Sequence, residues 1–198
     1  YEELISANTG FETVEEYREY LEEKKDDITS DAQALMMKDS TILDRVMDDK
    51  GNDVIDYTDA TNPTEVLNEL KDEMADDFPK IRELEYDMEI VPESMQSIFE
   101  ASAAYFISPV DSLDPAELMV LNGEYSEDSF LTIAHEGFPG HMYQTQYYKE
   151  QDQPIIRQLM DFDGYTEGYA NYVENYSAKY ANDADATTLY TYLMQLTY

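Results

Sequence analysis

A chain of 198 residues can bury one substantial core, and its 45 acidic residues against 12 basic ones, a formal net charge of −33, exclude nucleic acid as a partner, because phosphate binding needs patches of lysine and arginine. It has no cysteine, so disulfides and thiolate metal sites are excluded, and no apolar run approaches the roughly 18 residues of a membrane span. The charge itself speaks to a solvated, salt-tolerant surface and, secondarily, to attraction of cationic substrates.

The chain begins at Tyr1 without methionine and ends in the apolar run Leu189-Tyr190-Thr191-Tyr192-Leu193-Met194, which predicts a single domain, 1–198, cut from a longer protein. Residues 1–82 read as helical. Thr13-Val14-Glu15-Glu16 is a capping box, and Val14, Tyr17, Leu21 and Ile28 recur at helical spacing, so one helix is expected over about 13–29. A second is expected over about 31–48, ended by Gly51-Asn52. The acids around Asp48 do not make a calcium loop, since the position five before Gly51 is Val46. Asn62-Pro63-Thr64-Glu65 starts a third helix, with Val66, Leu67, Leu70, Met74 and Phe78 as its apolar stripe and Pro79 as its stop.

Between about 84 and 122 the period changes. Leu84, Tyr86, Met88 and Ile90 alternate with acids, which predicts a half-buried strand ending at Pro92. A short helix near 93–99 and extended stretches over 103–108 and 118–122 follow, so the expected class is mainly α with a small antiparallel β-sheet, α+β. Helices occupy the remainder, about 126–198: one opening at Ser126 and leading into His135, one resuming after His141 to about Tyr148, and one beginning near Pro154.

The two histidines of the chain, His135 and His141, fall within Ala134-His135-Glu136-Gly137-Phe138-Pro139-Gly140-His141. In the common zinc-peptidase signature two histidines stand at i, i+4 on a helix beside a glutamate that serves as general base. Here the spacing is six, and six steps of about 100° turn a side chain roughly 240° round a regular helix. The helix must therefore break between Gly137 and His141 if both imidazoles are to meet one ion, and Pro139-Gly140 allows it. Two histidines and a carboxylate complete a catalytic zinc site with one position open to water. Glu167 and Glu174, two helical turns apart on one face with Ala170 and Ala178, supply the candidates: Glu167 as the third ligand and Glu174 behind the ligands, with exchange of the two roles left open. Tyr165, Tyr169 and Tyr172 are candidate donors to an oxyanion.

The segment AHEGFPGHMYQ, followed some twenty-five residues later by TEGYANYVE and preceded by YFISP and AELMVLN, resembles the bacterial family known as domain of unknown function 885. The resemblance is carried by about the last hundred residues and only loosely by the first eighty. It implies gluzincin-like active-site helices, zinc metallopeptidase activity on peptide substrates, and an exported or lipid-anchored, cell-surface location. Met142 stands where members usually carry a further histidine, and Tyr169 where they carry tryptophan. The expected reaction is hydrolysis of a peptide bond by metal-activated water with Glu136 as general base. The strand 118–122, ending at Asn122, is the expected partner for an extended peptide. The competing reading is a non-catalytic acidic binding module with a vestigial or structural metal site, against which the retained Glu136 argues, since a structural site needs no base.

Overall fold

The computed structural model describes residues 1–97, 104–108, 117–154, 156–157 and 162–197. Helix α1, Glu2–Asn8, precedes α2, Val14–Lys38, which starts on the expected capping box: Thr13 Oγ1 accepts from the Glu16 N–H and Glu16 Oε2 from the Thr13 N–H, each at 3.2 Å. The expected break at Thr29-Ser30-Asp31 does not occur. Thr29 satisfies its hydroxyl inside the helix by donating to Lys25 O at 2.7 Å, and α2 runs on to Lys38. The break comes at Asp39, whose Oδ1 accepts from the Thr41 N–H and hydroxyl, and only a short α3, Ile42–Val46, remains of the second expected helix. The acidic turn that follows is held by Asp48 itself, which accepts from the N–H groups of Lys50 and Asn52, with Gly51 at φ +82°.

Helix α4, Pro63–Glu73, starts with the Asn62 side chain accepting from the Glu65 N–H at 3.0 Å and buries Val66, Leu67 and Leu70. It gives way to a 3₁₀ turn over Met74–Asp76, short of Pro79. Strands β1, Tyr86–Ile90, β2, Ala104–Ile107, and β3, Glu117–Leu121, form one sheet in the order β1-β3-β2, with a short α5, Glu93–Gln96, after β1. The sheet is mixed rather than antiparallel. β2 pairs antiparallel with β3, but β1 lies on the other side of β3 and runs parallel to it, because the chain crosses over between β1 and β3.

The final helices are α6, Phe130–Glu136, α7, His141–Glu150, α8, Asp163–Tyr176, and α9, Ala184–Gln195. The helix expected from Pro154 is described as α8 from Asp163 on, while 155 and 158–161 of its expected start lie outside the described residues. One core joins these elements: Leu67 and Leu70 of α4, Met119 and Leu121 of β3, Phe130 and Ile133 of α6, and Leu189 of α9 are all buried. α6 sits at its centre, in contact with α4, α7, α8 and β2, so the site it carries is held from four sides.

Candidate metal centre

Phe130, Leu131, Ile133 and Ala134 anchor α6 in the core and leave His135 and Glu136 half-buried at its C-terminal end. The helix stops there, where the Gly137 N–H donates to Ile133 O at 2.8 Å, and α7 restarts at His141 after the turn 137–140. That turn folds back onto α6 so closely that a Cβ built at Gly140 would lie 1.7 Å from His135 O, which only glycine permits. Phe138 pins it from below, buried and edge-on to Tyr86 at 5.6 Å, and the Tyr169 hydroxyl pins it from α8 by donating to Pro139 O at 3.0 Å. The imidazoles of His135 and His141 consequently stand 4.9 Å apart, centroid to centroid, at 83°.

Helix α8 crosses α6 with the buried Ala170 between its two glutamates, small enough to let the backbones approach. The glutamates take different places. Glu174 Oε2 is 2.9 Å from His135 Nδ1, whereas Glu167 Oε2 is 3.5 Å from His135 Nε2 and 3.5 Å from His141 Nε2. A carboxylate on Nδ1 fixes the tautomer that leaves Nε2 free to bind a metal.

Donors of these types fit zinc. Two bonds of about 2.0–2.1 Å at the tetrahedral angle hold their donors about 3.4 Å apart, close to the separation of Glu167 from each Nε2. His135, Glu136 and His141 also offer donor atoms within 4.8 Å of one another. Glu136 is the poorer ligand of the two carboxylates, because its Oε2 already accepts from the Phe106 N–H of β2 at 2.9 Å. Glu167, 63% exposed, has no such commitment and lies nearer both Nε2 atoms.

The charges of the cluster act on one another. Burial alone would push the His135 imidazole down, but the Glu174 hydrogen bond and the charges of Glu174, Glu136 and Glu167 outweigh it and leave the group raised. Burial raises the Glu136 carboxyl, against the pull of His135 and the Phe106 N–H. His141 is lowered, first by burial and then by the neighbouring His135, with Glu167 and the Gln144 amide opposing.

The three tyrosines do not share a role. Tyr169 is a clasp on the Pro139 carbonyl, while Tyr165 and Tyr172 are 60% and 62% exposed, and among the described residues no hydroxyl of the three bonds to the cluster. The expectation of peptide pairing along 118–122 is corrected, since β3 is the central strand and its backbone is used on both sides. Asn122, at its end, reaches the Gln96 carbonyl at 3.5 Å. The edge that borders the cluster belongs to β2, because the Phe106 N–H that meets Glu136 points away from β3. The sequence reading also missed Gln144. It lies one turn after His141, a spacing that places it beside the imidazole once α7 is known to start there.

A cavity of about 510 Å³, walled by Asp53, Asp59, Glu127 and Asp128 among others, shares no described lining residue with the cluster. Among the described residues no helix is long and apolar enough to cross a membrane. No curated protein matches the chain. A solved structure described as "the putative lipoprotein from Colwellia psychrerythraea" is similar with a TM-score of 0.71 over 98% of this chain, at 15% sequence identity, a level that shows the fold alone. This chain spans 37% of the length of that structure. The family model described as a bacterial protein of unknown function, DUF885, matches residues 2–198, the helical first eighty as well as the metal-centre segment, and the chain belongs to that family.

Proposed function

We propose that this protein is a zinc-dependent peptidase of gluzincin-like design, in which His135, His141 and Glu167 would hold the ion and Glu136 is the general base. One observation carries the reading: a single oxygen of Glu167 stands 3.5 Å from Nε2 of both histidines, while a second carboxylate, Glu174, holds Nδ1 of His135. When bound, zinc supplies Lewis acidity towards the scissile carbonyl and acidifies water. Glu136, beside the ligands but tied to the Phe106 N–H, takes a proton from the attacking water and passes it to the leaving amine. The outer edge of β2 lies beside this carboxylate and offers backbone groups to align an extended peptide. An exported or cell-surface location is part of the proposal, supported by the family resemblance and by the lipoprotein description of the structural neighbour.

The test is Glu136→Gln, which removes the base and keeps the shape. Zinc content is expected to hold while hydrolysis of a broad peptide library falls by about 100-fold or more. A glutamine variant as fast as the unsubstituted protein removes Glu136 from the reaction, and a zinc-loaded protein that cuts nothing in the library leaves binding as the function of the site.

A further inference from the structure

Between α7 and α8, two of the three helices that carry the cluster, lies a cavity of about 400 Å³. Gln144, Tyr148 and Lys149 of α7 line it, with Tyr165 from the first turn of α8 and Arg157 and Phe162 from the segment before. It adjoins the metal centre along the chain: Gln144 follows His141 by one turn, and Thr166, also on its wall, directly precedes Glu167. At about 1.5 Å of rise per residue, Gln144 stands some 4.5 Å along the axis from His141, little more than the reach of one extended peptide residue.

The charge of this cavity is opposite to that of the chain. Among the described residues no carboxylate lines it, although 45 of the chain's 198 residues are acidic, and two of the 12 basic residues do. Lys149 is already balanced, with Nζ 3.0 Å from Oε1 of the buried Glu117 and 2.7 Å from Ser108 Oγ. Arg157 is not. Arg18, Arg45 and Arg82 pair with Glu15, with Asp39 and Asp183, and with Glu150, which leaves Arg157, among the described residues, as the one arginine without a carboxylate. In a protein this acidic an unpaired guanidinium at the mouth of an aromatic cavity is a local reversal of field, and a guanidinium fork matches a carboxylate. On the side of His141, Gln144 Oε1 is buried without a hydrogen-bond partner, an acceptor that a peptide N–H would satisfy.

We propose that this cavity receives a carboxylate-bearing residue of the substrate, with Arg157 as counter-charge and the rings of Tyr148, Phe162 and Tyr165 around the apolar part of that residue. The assignment rests on the peptidase reading and adds a substrate class to it: peptides anionic at, or one residue from, the position next to the scissile bond. The carboxylate can be a chain terminus or an acidic side chain.

Two pairs of otherwise identical peptides separate these sources in the zinc-loaded protein, one with a free or amidated C-terminus and one with Glu or Gln near the cut. Preference for the free acid identifies the terminus, and preference for Glu identifies the side chain. Arg157→Ala is expected to raise KM for the preferred peptide roughly tenfold, with kcat and the neutral peptide little changed, and Arg157→Lys to restore part of the loss. Equal rates within both pairs, or a preference that survives Arg157→Ala, overturns the proposal. Calorimetry with N-acetylphenylalanine and its amide on chelated protein separates this outcome from failure of the peptidase reading, since no metal is then present to take the carboxylate. Arg157-dependent binding of the acid by a protein that cuts nothing leaves the pocket standing without the peptidase, and cleavage without preference leaves the peptidase standing without the pocket.

Discussion

Glu174 Oε2 lies 2.9 Å from His135 Nδ1, and this contact divides the work of two glutamates on one helix face. It turns the opposite nitrogen of the ring towards Glu167 and His141. Glu174→Ala is therefore expected to weaken zinc binding by about 10- to 100-fold without removing a ligand, while Glu174→Gln, which can still accept from Nδ1, loses less. Competition with a chromophoric chelator reads both. Equal affinity in the alanine variant would dissociate Glu174 from the site.

The turn that joins the histidines depends on Gly140. A methyl group there would meet His135 O at 1.7 Å, a backbone atom that cannot move without displacing the ligand. Gly140→Ala is expected to cost about 3 kcal/mol or more, read by denaturant unfolding, together with the metal.

Tyr169 tests whether the clasp is structural. Tyr169→Phe removes the hydrogen bond to Pro139 O and is expected to cost about 1 kcal/mol of stability, with peptide hydrolysis reduced by less than about threefold. A loss of a hundredfold or more in kcat at unchanged stability would instead make its hydroxyl an oxyanion donor.

What could be read from the residues was mostly local. The spacing of six between His135 and His141 required a broken helix, and the structure has one between Gly137 and His141. The capping box at Thr13 and the Asn62-Pro63 start are written in side chains a few positions apart and stand where expected. Thr29-Ser30-Asp31 misled because hydroxyl residues cap helices or bond back within them, and Thr29 does the second. The alternation over 84–91 identified a strand but not its neighbour. That β1 runs parallel to β3 depends on a crossover, and a crossover leaves no period in the sequence. The peptide-pairing edge was misplaced on β3 for the same reason, and the Phe106 N–H facing Glu136 is a backbone contact no side-chain pattern could announce.

Zinc should act as a ligand of the fold. Three donors drawn from α6, α7 and α8 are brought together only in the native state, so binding adds RT ln(1 + [L]/Kd), about 2.7 kcal/mol at a hundredfold excess over Kd. For a chain of this size that corresponds to a rise in Tm of roughly 5–10 °C, lost on chelation. A Tm indifferent to zinc would count against a site spanning the three helices.

The most direct measurement is zinc stoichiometry across four forms of the protein by elemental analysis after gel filtration. The expected result is one zinc per chain in the unsubstituted protein and in Glu136→Gln, and little or none in His135→Ala and Glu167→Ala. Full occupancy in Glu167→Ala, or loss of the metal in Glu136→Gln, would contradict the division of the cluster into a ligand set of His135, His141 and Glu167 and a base at Glu136.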